Sequence, residues 1–382
     1  MKDKIAIIGI GCTQARPTSG DVSYREMIYE AAVKAYNYAG ISPRDVGTFI
    51  STAEDMTEGV SIFDEYVPDQ LGAVLKPVHT ISGDCLQGIA SAYLQIATGA
   101  FRVAVVETHS KASNILFPAH IEEFAMDPHY SRYLHLDPVI LAGMEMRKLC
   151  EDTGANERDV ARVITEARRN AMENDLAAYP GNFSINDILA TGYVAEPLRS
   201  SMVQGTSDGA CIFILASEDV TRATCKKPVY IDGISFFTGE PSMDTWKFGK
   251  SKFTELASAK AYKMAGIKCP YRELSFAEID DSYGYKFFIH AEALHLCESG
   301  ESVDFFRNGA FSPAGELPVN ISGGVPGFGK MHGAACGYQL IESVRQLRGE
   351  AGKRQLKDTS RGLVQSWRGL PTQTGAVAIL SN

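Results

Sequence analysis

The stretch ISGDCLQGIASAYLQIATG, residues 81–99, decides how the rest of the chain reads. Apolar residues recur at Leu86, Ile89, Ala90, Tyr93, Leu94 and Ala97, a helical period with one continuous apolar face. Gly88, Ser91 and Ala92 are small, so the opposite face also suits close contact with a neighbouring backbone. Without an exposed charged face, the segment predicts a buried helix. Residues 77–81 before it and 103–106 after it read as strands. Cys85 then stands in the first turn of a central helix, at a strand-to-helix corner.

That position carries chemistry. Unpaired N–H groups and the helix dipole favour a thiolate there, the form in which cysteine is a nucleophile. Asp84 next door opposes a second negative charge. The competing reading is a small core residue, since free cysteine is commonly buried.

The 382 residues suffice for a large core in one or two compact units. Hydrophobic residues make up 45% and charged residues 22%, the balance of an ordinary globular protein. A net charge of −9 argues against nucleic acid or an anionic membrane as the main partner. No apolar run approaches the ~20 residues that a membrane-spanning helix needs. The opening MKDKIAIIGIGC enters a buried-strand pattern with no small-residue cleavage site, unlike a signal peptide. Cysteines stand at 12, 85, 150, 211, 225, 269, 297 and 336, none as C-x-x-C and none with zinc spacing to histidine. The reading is free thiols in a reducing cytoplasm, with no metal.

Along the chain, residues 4–10 read as a buried strand, and IGIGCT lacks the full G-x-G-x-x-G of a dinucleotide site. Residues 23–39 read as a helix stopped by Gly40, residues 48–51 as a short strand, and residues 53–71 as acidic loop and helix. From residue 110 the composition turns rich in His, Pro, Met and Tyr, then helical over 160–174 with Glu166, Arg168, Arg169 and Asn170 on a solvated face. His109, His120, His129 and His135 match no compact metal motif and read as surface or packing residues. Residues 207–216, 229–237, 276–279 and 375–380 read as strands and 255–266 as a helix. Residues 319–347 repeat the strand, corner and helix of the opening stretch, with Ile321-Ser322-Gly323 echoing Ile81-Ser82-Gly83.

Four stretches carry a resemblance over essentially the whole chain. SGDCLQGIASAYLQIATG with FRVAVVETHS, then NAMENDLA (170–177), TSDGACIFIL (206–215) and GELPVNISGGVPGFGKMHGAACGYQLIESVRQLRG (315–349) resemble the thiolase superfamily in order and spacing. The last stretch is most similar to the branch of sterol-carrier-protein and archaeal thiolases. The resemblance implies a five-layer αβαβα fold of two similar halves, residues 1–227 and 228–382. It also implies a loop domain at about 110–200 covering the active-site mouth, and a homodimer that pairs sheet edges. The implied activity is acyl transfer on a β-ketoacyl-CoA through an acyl-Cys85 intermediate, with coenzyme A as substrate and no permanently bound cofactor. Members of the branch often work with a small zinc-ribbon/OB-fold partner; any zinc would then lie in that partner. An unusual acyl group is implied rather than acetoacetyl-CoA, 2-benzoylsuccinyl-CoA of anaerobic toluene degradation being one candidate, cleaved to benzoyl-CoA and succinyl-CoA.

The partner positions depart from the family. Where relatives have a G-H-P-x-G turn, this chain reads Gly329-Lys330-Met331-His332-Gly333, with Lys330 in the aligned histidine's place. A lysine is protonated near neutrality unless burial lowers its pKa by several units. The reading therefore gives His332 the proton exchange and Lys330 an electrostatic role, against the plainer view that His332 caps the next helix. Asp280-Asp281 stands where relatives have His-Asp or Tyr-Asp, making Asp280 a candidate acid or else half of a solvated pair. Ser366-Trp367-Arg368-Gly369 replaces a histidine-containing turn. The glycine-rich residues 323–329 offer Gly324 and Gly329 as oxyanion donors, as the resemblance implies, or merely make a tight packing corner. Arg199, Lys247 and Lys250 are candidates for CoA phosphates, against ordinary solvated cations. The altered positions leave a second reading, a non-catalytic thiolase-fold subunit of an acyl-CoA complex, which the cysteine at 85 opposes.

Overall fold

The computed structural model describes residues 4–53, 62–115, 117–124, 126–239, 246–369 and 373–382. The middle of the acidic stretch, 54–61, lies outside them. Among the described residues, nine strands form one sheet: β1 (Ala6–Cys12), β2 (Thr48–Thr52), β3 (Val78–Ile81), β4 (Val103–Lys111), β5 (Asp208–Ala216), β6 (Val229–Thr238), β7 (Phe276–Glu278), β8 (Arg361–Arg368) and β9 (Thr374–Ser381). Their order is β3-β2-β4-β5-β1-β6-β9-β8-β7. β2 runs parallel to β3 and β4, whereas β4–β5 and β5–β1 are antiparallel. The other half repeats this: β8 is parallel to β7, β8–β9 and β9–β6 are antiparallel, and Val319 adds a parallel bridge beyond β7. The halves join where β1 pairs antiparallel with β6, Ala6 against Tyr230 and Ile7 against Val229. The sheet therefore reads the same from either end, as a duplicated unit would.

Seven helices matter here: α1 (Tyr24–Ala39), α2 (Cys85–Ala97), α3 (Pro138–Thr153), α4 (Glu157–Ala171), α5 (Lys252–Ala265), α6 (Lys286–Ala293) and α7 (Ala335–Arg348). α1 covers β1, β4 and β5 on one outside, and α5 covers β6 and β9 on the other. α2 and α7 touch each other and lie between the two halves of the sheet, each packing on strands from both. The result is five layers, with separate apolar clusters under α1, around α2 and α7, and beneath α5 and α6. Strands buried on both faces are mostly apolar, as β5 is from Gly209 to Ala216. Gly88 lets α2 reach the sheet: a Cβ there would stand 2.2 Å from Thr52 Cγ2. The strand-to-helix corner of residues 81–85 is thereby pressed into the middle layer.

Several elements differ from the sequence reading. β8 was invisible as a strand; the segment read as a turn, Ser366–Arg368, is its end, held by pairing with β9. β4 runs on to Lys111 because β5 gives it a partner along its whole length. The last turn of α2 emerges from the middle layer, leaving Leu94 57% exposed. α4 begins at Glu157 and its polar face is mostly covered: Arg168 lies over the rings of Tyr179 and Phe183, and Asn170 Nδ2 donates to Asn320 O at 3.2 Å. Only Arg169 of the four residues read as solvated is fully exposed. His109 is buried beside Glu107 in β4, while His120, His129 and His135 are exposed.

Candidate active site

The corner between β3 and α2 is built by Asp84, which caps the helix. Its Oδ1 accepts from the N–H of Gln87 at 3.1 Å, and Gln87 Oε1 accepts from the N–H of Asp84 at 2.9 Å. This reciprocal cap satisfies two otherwise unpaired donors and fixes Cys85 as the first helical residue. Cys85 is fully buried. Burial pushes its thiol pKa up, opposed by the neighbouring Cys336 and reinforced by Cys211, Asp84 and Glu107. The helix dipole is thus outweighed, and the resting sulfur is a thiol.

The corresponding corner of the second half is longer. Residues 324–334 form a short helix, Gly324–Phe328, and a 3-10 turn, His332–Ala334, before α7 begins. This extra segment is folded over the first corner. Lys330 N–H donates to Gly205 O at 2.8 Å, and Ser207 N–H donates to Lys330 O at 3.2 Å, which pins the turn. Gly333 lies so close that a Cβ would stand 3.0 Å from Gly83 O and 3.5 Å from Asp84 Cα. The end of β8 closes a third side: Arg368 Nη1 donates to Ser82 O at 3.2 Å, and Ser366 neighbours the Asp84 carboxylate.

The titratable groups around this junction divide clearly. Burial works to lower the Lys330 pKa, but Glu122 at 3.1 Å, helped by Tyr283 and Asp280, more than reverses it and keeps the ammonium charged. His332 is lowered to about 3 by burial and by the cations of Lys330 and Arg368, so its imidazole is neutral. Among the described residues, its Nε2 finds no hydrogen-bond partner, nor do Asp84 Oδ2, Ser207 Oγ and Trp367 Nε1. Buried polar atoms are rarely left unpaired without cause. Asp280 is raised to about 6 by burial, against hydrogen bonds from Ser282 N–H at 3.1 Å and Ser282 Oγ at 2.7 Å. Asp281 accepts from Val325 N–H and Asn320 Nδ2, both at 2.8 Å, and ties the loop to the glycine-rich turn.

Lys330 and His332 therefore lie on a turn that Gly333 presses against the Cys85 corner, with Asp280 within electrostatic reach of Lys330. Gly324 and Gly329 lie on the turn, with N–H groups that donate to Ser322 Oγ at 3.2 Å and Val325 O at 2.7 Å. Arg199 stands apart on a small hairpin (Tyr193–Ala195 with Leu198–Arg199), paired with Glu157 and donating to Thr191 O and Tyr193 OH. It lines an open groove with Arg147 and Arg158. Lys247 and Lys250 are exposed in the turn before α5, Lys250 Nζ lying 3.9 Å from Glu292. Among the described residues, no contact links these three cations to the junction, and no cluster of three His, Cys, Asp or Glu could hold a metal.

Four contributors escaped the sequence reading. Glu122 holds Lys330 from 208 positions away, which no local pattern signals. Lys286, fully buried, lies 2.6 Å from Glu145 of α3 and over the Trp367 ring at 4.2 Å, so it links α3 to the end of β8. Tyr283 stands near Lys330 and Asp280 and edge-on to Trp367. Cys336 was counted among the free thiols; its place on the helix equivalent to α2 was the available clue.

The family description "Thiolase C-terminal domain-like" matches residues 242–382. An acetyl-CoA acetyltransferase of Methanothermobacter thermautotrophicus is 28% identical over 389 residues, covering 100% of both chains. A 17-hydroxy-3-oxo-4-pregnene-20-carboxyl-CoA lyase of Mycobacterium tuberculosis is 26% identical over 389 residues, covering 97% of this chain and 98% of the relative. The benzoylsuccinyl-CoA thiolase subunit BbsB of Thauera aromatica is 27% identical over 219 residues, 57% of this chain and 56% of the relative. Among solved structures, the Ltp2-ChsH2(DUF35) aldolase has a TM-score of 0.84 at 23% identity, covering 99% of this chain and 97% of that one. That last likeness is one of fold. No helix among the described residues is long and apolar enough to cross a membrane.

Proposed function

We propose that this chain, a member of the thiolase superfamily, is an acyltransferase that cleaves or joins a β-ketoacyl-CoA through a thioester on Cys85. In the cleavage direction the Cys85 sulfur attacks the β-carbonyl carbon while His332 takes the thiol's proton, a transfer that burial and the Lys330 and Arg368 cations oppose and that the negative charge developing on the substrate oxygen has to offset. The bond between the α- and β-carbons breaks, its electron pair stays on the α-carbon, and that carbon takes up a proton as the shorter acyl-CoA leaves. The thiol of a second CoA then attacks the acyl-Cys85 carbonyl, forming the second acyl-CoA and freeing Cys85. Lys330, held charged by Glu122, stabilises the negative charge that develops on oxygen. Asp280 titrates near enough to neutrality to exchange the α-carbon's proton. The observation that carries this reading is the convergence of the long second corner and the end of β8 on the Cys85 corner.

A second reading is favoured by the charged Lys330 and the fully buried thiol, and by the similarity to the lyase of M. tuberculosis. In it the enzyme breaks the carbon–carbon bond of a β-hydroxyacyl-CoA as a retro-aldol reaction, with no acyl-Cys85. Product analysis separates the two. Thiolytic cleavage consumes one free CoA per bond broken, whereas retro-aldol cleavage consumes none and releases a carbonyl compound.

The partial match to BbsB makes 2-benzoylsuccinyl-CoA the first substrate to assay, with benzoyl-CoA and succinyl-CoA as expected products. The half-exposed edge strand β3 suits a homodimer, since Gln95 Nε2 contacts His79 of β3 at 3.3 Å beside the exposed Leu94. A small zinc-ribbon/OB-fold subunit is the expected second partner, to be sought by co-purification from the source cell. Arg199, Lys247 and Lys250 remain the proposed phosphate contacts of CoA.

A further inference from the structure

β7 ends at Glu278, and the next two residues leave the sheet ladder while still buried. Their four backbone groups need partners, and each finds a buried side chain. Ile279 N–H donates to Asn320 Oδ1 at 2.7 Å, and Ile279 O accepts from Gln339 Nε2 at 2.8 Å. Asp280 N–H donates to Gln365 Oε1 at 2.9 Å, and Asp280 O lies 2.6 Å from His290 Nδ1. Three of the four partners are amides; the fourth is an imidazole, carried on α6. A carbonyl can only accept, so Nδ1 carries the ring's proton in that bond. His290 is fully buried, and burial with the Lys286 cation lowers its pKa to about 3, so the ring stays neutral. Among the described residues, both hydrogen bonds to the Asp280 carboxyl, from Ser282 N–H and Oγ, go to Oδ1.

We infer that His290 is a positioning residue for the reaction: its Nδ1–H holds the Asp280 carbonyl and so sets where the other carboxyl oxygen, Oδ2, stands. This deepens the proposed function and rests on the part of it that gives Asp280 the proton of the α-carbon. Peptide units are planar, so the direction of a side chain follows from the two planes that flank its Cα. Gln365 fixes the plane before Asp280 and His290 the plane after it, while Ser282 fixes the rotation of the carboxyl. α6 is itself anchored, since Lys286 lies 2.6 Å from Glu145 of α3, and the His290 ring stands 5.9 Å from that of Trp367. Proton exchange needs its acceptor within hydrogen-bond reach of the carbon's proton, and a displacement well under the length of one bond already slows it. His290 takes no part in that exchange, because its one labile proton is committed to the carbonyl. The charged and titratable groups around Asp280 are Asp281 and Tyr283 of its own loop, Lys286 and His290 of α6 and Lys330 of the turn.

The test has two arms on the full chain. The first needs no substrate: nitrogen NMR of the histidine-labelled protein, with the His290 signals identified by their loss in His290→Asn. A proton on Nδ1 and a bare Nε2 are expected, and a proton on Nε2 instead would overturn the inference. The second follows cleavage of 2-benzoylsuccinyl-CoA, or of acetoacetyl-CoA where that is the ester turned over. His290→Ala is expected to lower kcat about tenfold with KM nearly unchanged. Its kcat–pH profile should also shift to lower pH on the limb set by Asp280, whose freed carboxyl is better hydrated. Asparagine puts an N–H at the place of Nδ1, so His290→Asn is expected to recover most of the loss. Glutamine is nearer histidine in size but puts its N–H at the place of Nε2, so His290→Gln is expected to recover little. Full turnover by His290→Ala, or equal recovery by Gln and Asn, would overturn the inference, since packing alone would then explain the effect. Cleavage of neither ester by the unmodified protein would count against the acyl-transfer reading, and the role of His290 in it, while the nitrogen spectrum still decides the bond.

Discussion

Asp280→Asn should make the protein more stable above neutrality, and the structure says by how much. Asp280 is 7% exposed, and burial raises its pKa from 3.8 to about 6. The folded chain therefore binds a proton there that the unfolded chain has already released. That contribution to stability is fully present below pH 3.8 and is lost as pH rises through about 6. A difference of roughly two pKa units corresponds to about 3 kcal/mol. Asparagine keeps an oxygen to accept from Ser282 N–H and Oγ but carries no charge. The attraction of Lys286 and Lys330 for the carboxylate already acts against that rise, and each cation keeps its main partner, Glu145 and Glu122. A gain of about 2–3 kcal/mol is therefore expected at pH 7.5. Urea unfolding of both proteins from pH 4 to pH 8 measures it, with the gap opening between about pH 4 and pH 6 and constant above. A gap independent of pH, or a variant less stable at pH 7.5, would refute the reasoning.

Other substitutions probe the junction separately. Gly333→Ala places a methyl 3.0 Å from Gly83 O and should cost about 1–3 kcal/mol in urea unfolding, with turnover falling further because the two corners are forced apart. Lys286→Met leaves Glu145 buried without its cation and should cost about 3–5 kcal/mol; replacing Glu145 by leucine in the same chain should restore much of the loss. Glu122→Gln releases the partly exposed Lys330 ammonium and should lower kcat about tenfold with little change in KM, as steady-state kinetics would show.

Much of this arrangement was legible in the chain. The helical period of residues 81–99 located the buried central helix, and the echo at Ile321-Ser322-Gly323 announced its repeat. The duplication then appears in the sheet, whose strand order and directions are mirrored about the β1–β6 pair. What stayed hidden depends on partners distant in sequence. β8 becomes a strand by pairing with β9, and α4's polar face is covered by Tyr179, Phe183 and Asn320. Lys330 could be aligned with the family's histidine, but its charge state is set by Glu122, which has no pattern of its own. Cys336 lies only four positions beyond His332, yet its relation to Cys85 exists only because residues 324–334 fold the second corner onto the first.

The most direct measurement is the mass of the Cys85 peptide after rapid acid quenching of the protein mixed with a β-ketoacyl-CoA that it turns over. The account predicts an added acyl group on Cys85 that disappears when free CoA is supplied, and no such adduct or turnover in Cys85→Ser. Full turnover by Cys85→Ser, with a peptide of unchanged mass in the unmodified protein, would contradict it.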